Sequence, residues 1–488
     1  MLGRYLTVTT ALCVGCAGDP GDPAPKDTGD TGEAPEFADA ICSPPCTASL
    51  AGASARMLAE GEGDKAGYSL ARAGDLDGDG ADDLLVGARF GRGVGSAYVV
   101  RGPIAGESSL ADAATILRGE VEDDQLGGRV TVPGDLDRDG HLDLLLGALG
   151  TDRGAENAGG VAVFFGPVSG TLTYSDADAF FHGELADDAA GDAVASAGDT
   201  DGDGVVDLVV GASNADAAAE GAGVVYLLRG PASTSGALAD AEARLFGEAT
   251  GDNAGNAVIG LGDADGDGLD DLAAGAPHRE NQGVVSEGAA YVALAPISGT
   301  TSLADADGIH RGEQAGHRAG ADVAGGVDVD GDGRPDLAVG AHSWGEAEEG
   351  AMYVVWGPAT GDASLADAPL RIYGESPTGW LGVRLDFVGD VDGDGTIDLA
   401  VGAKWADDTG EDAGATYVFL GPLPEGTHLA SDADVTLLGA AVGDQSGMDV
   451  ASGGDLTGDG VDDLVVGAQG ESTLGLDAGA AYVVSLAR

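Results

Sequence analysis

The chain has 488 residues, including 87 Gly and 18 Pro, and its aromatic content is only 5%. Hydrophobic residues make up 43%, so the chain can bury a core, but that core must consist mainly of Val, Leu and Ala. Asp and Glu number 84 against 22 Lys and Arg, which gives a formal net charge of −62. This charge excludes a nucleic-acid-binding protein, which needs a basic face for the phosphates. It predicts bound cations or extensive disorder, because so acidic a chain repels itself, and the motifs favour cations.

Residues 1–16 are predicted to be an export signal. One positive charge precedes a short apolar stretch at residues 5–15, and small residues follow, which is typical of a secretory signal and too short for a membrane span. Residues 13–16 (CVGC) resemble a bacterial lipobox, whose last cysteine, here Cys16, would carry a lipid. The alternative is ordinary cleavage near Ala17. No later stretch approaches about 18 consecutive apolar residues, so no other membrane span is expected.

Residues 17–54 are predicted to be a disordered linker. Up to about residue 38 they consist mainly of Asp, Gly, Pro and Thr, with almost nothing to bury. Cys42 and Cys46 follow in Cys-Ser-Pro-Pro-Cys. In an exported protein a local disulfide is favoured over a metal site with only two cysteines and no nearby His. No Cys occurs after residue 46, so the large domain must be stabilised in another way.

A repeat organises the remaining chain, residues 55–488. The string Asp-x-Asp-x-Asp-Gly-x-x-Asp, with Thr457 as its one departure, occurs seven times at spacings of about 60 to 65 residues, and such regular self-similarity is the signature of a repeat architecture. The copies begin at Asp75, Asp135, Asp199, Asp263, Asp328, Asp390 and Asp455. A Gly precedes each copy at a constant distance: Gly67, Gly127, Gly191, Gly255, Gly320, Gly382 and Gly447.

Each repeat contains four short runs between turn signals, which predict four β-strands because helices need longer windows of 3.6-residue periodicity. The run after the Asp motif is apolar at consecutive positions, as in residues 84–86, so both of its faces should be buried. Seven four-stranded units predict an all-β fold, a seven-bladed β-propeller. The last repeat stops after its third strand, and we expect a strand at residues 55–59 to pair with it and close the ring.

The Asp motifs are predicted to be Ca²⁺ sites. Alternate Asp side chains in a tight loop point inward, Gly at the sixth position permits the turn, and the seventh carbonyl and the ninth Asp complete an all-oxygen shell. Position twelve lies within a strand, so these are not EF-hands, which carry a Glu there. Up to seven Ca²⁺ ions would bring the formal charge only to about −48. The predicted metal ligands are Asp75, Asp77, Asp79, Ala81, Asp83, Asp135, Asp137, Asp139, His141, Asp143, Asp199, Asp201, Asp203, Val205, Asp207, Asp263, Asp265, Asp267, Leu269, Asp271, Asp328, Asp330, Asp332, Arg334, Asp336, Asp390, Asp392, Asp394, Thr396, Asp398, Asp455, Thr457, Asp459, Val461 and Asp463.

These repeats resemble the FG-GAP repeats of the integrin alpha-subunit β-propeller. The resemblance rests on the Gly before each loop, the Asp motif followed by Leu, and the later Gly-Ala and Gly-Ala-x-Tyr-Val sequences. It implies a seven-bladed propeller with Ca²⁺ in its loops and a role in extracellular adhesion or ligand binding. The Phe of the family's Phe-Gly is replaced in every copy, and a full Gly-Ala-Pro occurs only at residues 275–277, so no particular ligand is implied.

The sequence carries no enzyme motif, because Gly-x-Ser-x-Gly, His-Glu-x-x-His and a P-loop are all lacking. We therefore expect no catalytic residues and no enzymatic activity. We expect a monomer, exported as an outer-membrane or cell-surface lipoprotein or secreted, that binds an extracellular protein or glycan. Contact with the membrane is expected only through an N-terminal lipid anchor. The alternatives are the propeller of a secreted hydrolase or lyase and a purely structural surface component.

A ligand site is expected on the face of the propeller opposite the Asp loops. The loops after the second and fourth strands lie there, and they hold a large share of the scarce basic residues and three of the four Trp. Large rings in solvent-facing loops are costly unless they pack or bind, and aromatic residues and Arg are enriched at binding hot spots. The alternative is that each Trp packs against its neighbouring loop. The predicted ligand residues, over blades five and six, are Trp344, Trp380, Trp405, His317, Arg318, His342 and Lys404.

Overall fold

The computed structural model describes residues 41–42, 44–280 and 286–486, so the predicted signal and Cys16 lie outside the described residues. The chain forms seven five-stranded β-sheets, which are the blades of a β-propeller, and the predicted all-β, seven-bladed fold is confirmed. Blades one to seven are numbered in the order of their Asp motifs. The helical elements of the described residues are seven short 3₁₀ turns: Leu50–Gly52, Gly91–Gly93, Leu110–Asp112, Leu238–Asp240, Leu303–Asp305, Leu365–Asp367 and Ala430–Asp432.

The first two strands of each blade flank its Asp loop. The first strands, which line a channel at the centre of the ring, are Ala66–Gly74, Leu126–Gly134, Ala193–Gly198, Ala257–Gly262, Asp322–Val327, Arg384–Gly389 and Ser446–Gly454. The second strands are Asp83–Ala88, Asp143–Ala148, Asp207–Ala212, Asp271–Ala276, Asp336–Ala341, Asp398–Ala403 and Asp463–Ala468. All six residues of every second strand are buried, as their uninterrupted apolar sequence predicts.

The third and fourth strands complete the antiparallel part of each sheet. The third strands are Ser96–Val100, Gly160–Phe164, Val224–Leu228, Ala289–Ala293, Ala351–Val355, Ala415–Phe419 and Ala480–Val484. The fourth strands are Thr115–Arg118, Ala179–His182, Ala243–Phe246, Gly308–Arg311, Leu370–Tyr373, Val435–Leu438 and, in blade seven, Ala55–Leu58. Ala55–Leu58 pairs antiparallel with Ala480–Val484, so the predicted closure of the ring by an N-terminal strand is confirmed.

Every blade also has a fifth strand, which corrects the predicted four-stranded blade. The segment that joins the third and fourth strands of one blade crosses to the preceding blade. There it pairs parallel to the fourth strand of that preceding blade. The fifth strands of blades one to seven are Gly170–Thr173, Gly236–Ala237, Gly299–Ser302, Gly361–Ser364, Gly426–Leu429, Cys46–Ser49 and Gly106–Ser109. Residues 299–302 (GTTS), for example, are exposed or half-buried. Backbone pairing extends the sheet there without an apolar run, so hydrophobic patterning did not predict it.

The predicted end of the linker at residue 54 is too late. Cys46–Ser49 pairs parallel to Val435–Leu438 of blade six, and Leu50 directly after it is only 1% exposed. Cys42 and Cys46 form a disulfide at the start of this segment. Residues 46–54 therefore belong to the propeller. Their Ser-Leu-Ala sequence repeats that of residues 109–111, which precede the fourth strand of blade one.

Neighbouring blades pack through buried clusters of Ala, Val and Leu with a few larger side chains. Tyr98 of blade one, for example, lies in one buried cluster with Met57 and Val483 of blade seven. The Gly before each Asp motif permits the close approach of the blades. At Gly67, whose φ is +74°, a Cβ atom would lie 2.3 Å from the carbonyl oxygen of Ala480 in the preceding blade. The constant Gly spacing in the sequence therefore reflects contact between blades as well as backbone conformation.

Antiparallel pairing places the Asp loops and the tryptophan-bearing loops at opposite ends of the strands. In blade one, Gly74 pairs with Asp83 beside the Asp loop, whereas Ala66 pairs with Ala88 at the other end. We call the first end of the ring the Asp-loop face. The second end, which carries the loops after each second and fourth strand, is called the Trp face.

Candidate metal loops and ligand face

The Asp loops share a hydrogen-bonding pattern centred on the first Asp. Asp75 accepts hydrogen bonds from the backbone N–H groups of Gly78, Asp79 and Gly80 at 2.7, 3.0 and 2.9 Å. The bond from the sixth-position Gly recurs in all seven loops. Gly80 has a φ of +94°, which the predicted tight turn requires. The protein backbone therefore already holds each loop in a compact conformation.

The ninth Asp of each loop is a buried anchor. Asp83 accepts hydrogen bonds from the N–H groups of Leu76 at 3.0 Å and Gly102 at 2.9 Å. It thereby joins the loop to the end of the third strand. The equivalent carboxylates belong to residues that are at most 1% exposed: Asp83, Asp143, Asp207, Asp271, Asp336, Asp398 and Asp463.

Burial perturbs these anchoring carboxyl groups in a way that a cation would relieve. Desolvation, together with the negative charges of neighbouring loop carboxylates, raises the pKa of Asp271, Asp336 and Asp398 to about 6. A bound cation would favour the ionised form, because an opposite charge a few ångströms away offsets both effects. The anchors thus fit a cation site better than they fit an empty cluster of carboxylates.

The loop carboxylates are also close enough to share one ion. In at least five loops, three carboxylates can each place an oxygen within 4.8 Å of the other two. These groups are Asp75, Asp77 and Asp79; Asp135, Asp137 and Asp143; Asp199, Asp201 and Asp203; Asp263, Asp265 and Asp271; and Asp328, Asp330 and Asp332. A donor set made only of oxygen suits a hard cation such as Ca²⁺, so the residues present fit the predicted metal.

Arginine side chains enter two of the loops. Arg101 Nε lies 3.0 Å from a carboxylate oxygen of Asp77 in the first loop. Arg229 Nη1 lies 3.2 Å from Asp201 and 3.0 Å from Asp207 in the third loop. Both arginines occupy the position before the Gly-Pro that follows the third strand. The loops are therefore not equivalent, which the repeat motif alone did not predict.

The seventh loop differs in its ligands and in its hydrogen bonds. Thr457 stands in place of the third-position Asp, and its backbone N–H donates to Asp463 at 2.8 Å. The hydroxyl of Ser485 donates to the other oxygen of Asp463, which in the other blades accepts a backbone N–H. With one carboxylate fewer, this loop has the poorest donor set for a cation.

On the Trp face, four of the predicted ligand residues form one cluster. The rings of Trp380 and Trp405 lie 6.3 Å apart and nearly perpendicular, and the ring of His342 lies 4.7 Å from that of Trp380. Lys404 Nζ is 5.2 and 5.4 Å from the two indole centres, close enough for cation–π attraction. All four side chains are half-buried, so each keeps part of its surface exposed.

Trp344 and His317 lie in a second cluster. The Trp344 ring stacks on Tyr373 at 4.2 Å, and its Nε1 atom donates to Glu313 at 3.1 Å. The His317 ring lies 5.9 Å from Trp344, beside a cavity of about 700 Å³. These contacts fit the alternative stated above, in which a Trp side chain packs against its neighbouring loop. Arg318 acts on the first cluster instead, through its charge. Burial, and after it the positive charge of Arg318, lower the pKa of His342 to about 3.

The central channel holds charged residues that were not predicted as a group. It has a volume of about 430 Å³ and is lined by the first strands of all seven blades. Arg384 lies between Asp322 and Asp449, at 3.8 and 3.6 Å. Desolvation raises the pKa of Asp386 to about 7, although a hydrogen bond from the Ser452 N–H opposes the shift. Because these residues come from blades five, six and seven, only the closed ring brings them together.

Known proteins share the repeat found here. Residues 66–100 and 446–484 match the FG-GAP repeat family, and residues 328–401 match the FG-GAP-like repeat family. These segments include the Asp loops of blades one, five, six and seven. No helix in the described part of the chain is long and apolar enough to cross a bilayer.

The similar curated proteins include integrin alpha chains. Over 170 residues the chain is 35% identical to integrin alpha-X of Homo sapiens, covering 33% of this chain and 14% of that protein. Over 263 residues it is 28% identical to integrin alpha-PS2 of Drosophila melanogaster, covering 51% of this chain and 17% of that protein. The chain thus spans less than a fifth of the length of these relatives.

Among solved structures, a crystal structure of BBS1N in complex with ARL6DN aligns with a TM-score of 0.46 and 10% identity, covering 88% of this chain and 94% of that one. The sequence similarities and the sheet topology described above agree on the architecture. They identify the chain as a seven-bladed β-propeller in which blades one, five, six and seven contain segments that match FG-GAP or FG-GAP-like repeats and which is similar in part to integrin alpha chains.

Proposed function

We propose that the protein is an extracellular, calcium-binding β-propeller that acts as an adhesion or ligand-binding module at the cell surface. The observation that carries this proposal is the cluster of Trp380, Trp405, His342 and Lys404 on the Trp face. A binding module should carry one differentiated patch on an otherwise regular ring, and this cluster is such a patch. The similarity to integrin alpha chains supports the same class of function.

Calcium has a structural part in this proposal. The first, third, fifth and ninth Asp of each loop would hold the ion, with the seventh carbonyl as a further ligand. Bound there, Ca²⁺ would supply positive charge to a cluster of carboxylates and hold the first two strands of a blade together. The loops lie at the strand ends away from the Trp face, so the ion would stabilise the ligand face from a distance.

The ligand would contact the Trp face through large, rigid side chains. Trp380 and Trp405 offer apolar area at a small cost in conformational entropy, which is why such residues are frequent in binding hot spots. Lys404 adds a positive charge beside them. We propose an extracellular protein or glycan as the ligand and no catalytic step.

Attachment to the cell surface would depend on Cys16, which lies outside the described residues. If Cys16 is lipidated, the chain up to about residue 37 is a tether between membrane and propeller. Mass spectrometry of the mature N-terminus tests this point. A free residue near position 17 or 18 would show simple secretion instead.

The ligand face can be tested with a binding screen of extracellular proteins and glycans, run with and without Ca²⁺. We expect wild-type protein to capture a ligand and Trp405→Ala and Trp380→Ala to lose it, with their Ca²⁺-dependent melting unchanged. Trp356→Ala is the matched control, because Trp356 directly follows a third strand at the Asp-loop end of blade five. If both face variants bind as wild type does, or if both unfold, the patch is structural and the proposal is wrong.

A further inference from the structure

Positive side chains gather around the opening of the central channel on the Trp face. Each lies before or in the first half of a first strand or directly follows a second strand, and so lies toward the end of the ring opposite the Asp loops. We call this group the basic mouth; its members are Lys65, Arg89, Arg129, Arg318 and Lys404. Because the chain has only 22 Lys and Arg, five of them at one opening is a marked concentration.

The cations of the basic mouth have no acidic partners. Within the described residues, none of the five has a carboxylate oxygen within 4.0 Å. Elsewhere arginines do pair: Arg92 with Glu60 and Arg244 with Glu184. With 84 Asp and Glu in the chain, carboxylates are not scarce. The five cations therefore lie at one place without a directly paired carboxylate, although the charge of Arg129 opposes the rise that burial causes in the pKa of Asp322 and Asp449.

Aromatic and amide groups hold these cations in position instead. Arg89 donates to Gln125 at 2.6 Å and to the Tyr68 hydroxyl at 2.7 Å. The guanidinium carbons of Arg89 and Arg129 lie 5.2 and 5.5 Å from the centre of the Tyr68 ring. Lys404 Nζ lies over Trp380 and Trp405, as described above. These contacts orient the positive groups without cancelling their charge.

Four titratable groups near the mouth carry the effect of neighbouring positive charges in addition to that of burial. Burial, and then the charge of Arg384, lower the pKa of Lys404 to about 8. Burial and nearby cations lower the pKa of His342 to about 3, and burial and Arg318 lower that of His278. Although burial opposes it, the charges of Arg129 and Arg89 lower the pKa of Tyr68. A chain with a formal charge of −62 is thus locally electropositive here.

Among the described residues, the acidic side chains of the channel form no ion pair with the cations of the basic mouth. Asp322 and Asp449 flank Arg384, and each also accepts a backbone hydrogen bond, from Leu385 at 3.0 Å and from Leu70 at 2.7 Å respectively. Asp192, near Tyr68, accepts the hydroxyl proton of Ser213 at 2.7 Å. These carboxylates are already engaged, so the cations at the opening remain available to a ligand.

We propose that the basic mouth binds a carboxylate of a protein ligand, either an acidic side chain or a C-terminal carboxylate. This inference rests on the proposed function and names the chemistry that the Trp face recognises. Like charges held together without partners cost stability, and departures of this kind are expected at functional sites. A bound carboxylate would lie against guanidinium groups that match its geometry, while the indoles of Trp380 and Trp405 pack against the residues beside it.

The overall charge favours an isolated carboxylate over a polyanion. Around the mouth the protein surface is acidic, and exposed charges act over about 8 Å at physiological ionic strength. A polymer with a negative charge on every unit would meet this acidic surface on leaving the mouth. A single carboxylate flanked by neutral or basic residues avoids that repulsion, and a protein segment supplies it readily.

The test compares two blocked tripeptides, acetyl-Gly-Asp-Gly-amide and acetyl-Gly-Asn-Gly-amide, with Trp fluorescence and NMR as readouts of binding. We expect the Asp peptide to bind at least about tenfold more tightly than the Asn peptide, and to weaken as NaCl is raised. The double variant Arg129→Gln/Lys404→Gln should weaken the Asp peptide by a similar factor. Its melting temperature should equal or exceed that of wild type, because the substitutions remove repulsion between like charges.

Arg371→Gln is the matched control for these substitutions. Arg371 has no carboxylate within 4.0 Å among the described residues, yet it lies on a fourth strand and donates to Thr427 at 2.9 Å. It should bind the Asp peptide as wild type does. Equal binding of the two peptides, or a double variant that binds normally or melts lower, would overturn the inference.

Two outcomes separate this inference from the proposed function. If a protein ligand from the screen is lost with Trp405→Ala but kept by Arg129→Gln/Lys404→Gln, the ligand face stands and the carboxylate site is wrong. If a uronic-acid glycan binds at the mouth while the Asp peptide does not, the occupant is a glycan and the inference is likewise overturned. Failure of every Trp-face variant to affect binding contradicts the proposed function itself.

Discussion

Single arginines decide how well individual loops can hold a cation. In the third loop Arg229 lies 3.2 Å from Asp201, where it competes for the oxygens that a cation would need. We predict that Arg229→Gln tightens Ca²⁺ binding at this loop by about tenfold, or about 1.4 kcal/mol. Calorimetric titration should show one site gained or strengthened. Arg244→Gln, which removes a partner of Glu184 outside the loops, is the control, and an unchanged titration for Arg229→Gln would contradict the prediction.

A buried carboxyl group in the channel should make stability depend on pH. Desolvation raises the pKa of Asp386 to about 7, from an ordinary value of 3.8. The folded state therefore retains this proton more strongly than the unfolded state, and stability falls as the pH rises from about 4 to about 7. Nearby Asp322 and Asp449 repel the ionised form.

Substitution isolates this contribution from that of the Asp loops. Asp386→Asn removes the titration but keeps the shape of the side chain. The melting temperature of the variant minus that of wild type should be more positive at about pH 8.5 than at about pH 5, at a constant Ca²⁺ concentration. A difference that does not change with pH would show that Asp386 titrates normally.

Residues with a fixed spacing were predictable, whereas contacts between repeats were not. The clustered Asp of each loop could be predicted from the sequence because five oxygen donors within nine residues fold into one tight loop. Arg384, Asp322 and Asp449 belong to three different repeats, so their contact depends on the radius of the ring. The same is true of the basic mouth, whose members lie far apart in sequence.

At the scale of elements, runs of apolar residues predicted four strands of each blade, whereas the polar fifth strands were not predicted. The second strands are buried on both faces, and their sequence shows it. The fifth strands pair through their backbone at the outer edge of a blade, where no apolar pattern is required.

Hydrogen bonds between blades were also missed, although the sequence carried a signal for them. The third-strand Tyr226 and Tyr291 donate to Glu184 and Glu248 at 2.9 and 2.7 Å. Each Glu belongs to the Gly-Glu that follows the fourth strand of the preceding blade. In these blades the recurring Tyr and Gly-Glu therefore form one partly buried hydrogen bond between neighbouring blades.

The N-terminal segment contributes two elements whose loss should have different effects. A chain truncated to begin at residue 54 loses the fifth strand of blade six and the burial of Leu50, which is worth about 2 kcal/mol. We expect it to fold but to melt a few degrees lower than a chain that begins at residue 41. A chain that begins at residue 61 also loses Ala55–Leu58 and exposes the edge of Ala480–Val484, so it should aggregate.

Thermal melts and size-exclusion chromatography of the three chains test this order. If the chains beginning at residues 41 and 54 melt at the same temperature, the fifth strand of blade six contributes nothing measurable. If the chain beginning at residue 61 stays monomeric and folded, the ring does not need its N-terminal strand.

Across the whole molecule the charged groups are arranged differently on the two faces of the ring. The Asp loops concentrate 27 carboxylates on one face, while the five cations of the basic mouth lie around the channel on the other, among loops that also carry acidic residues. The antiparallel blade produces this separation, because the loop after its first strand and the loop after its second strand lie at opposite ends. One repeated topology thus places the seven Asp loops on one face and the basic mouth on the other.

The acidity of the molecule leads to the last prediction, which concerns the removal of calcium. Without a cation the clustered carboxylates repel one another, and an ion that binds only the folded state stabilises it by mass action, by about 2.7 kcal/mol per site at a concentration 100 times the dissociation constant. Several loops acting together should make the effect large. We predict that a chelator lowers the melting temperature at neutral pH by about ten degrees or more. Acid should act in the same direction by protonating the loop carboxylates.

Salt provides the control that separates site binding from general repulsion. Seven Ca²⁺ ions would leave a formal charge of about −48, so much of the repulsion persists even in the loaded protein. Added NaCl screens this general repulsion but cannot supply ligands to a loop such as that of Asp263, Asp265 and Asp271. In the presence of chelator, 0.5 M NaCl should therefore restore only part of the lost stability, whereas millimolar Ca²⁺ restores all of it. Full recovery with NaCl alone, or a melt that the chelator does not change, would show that the Asp loops are not cation sites.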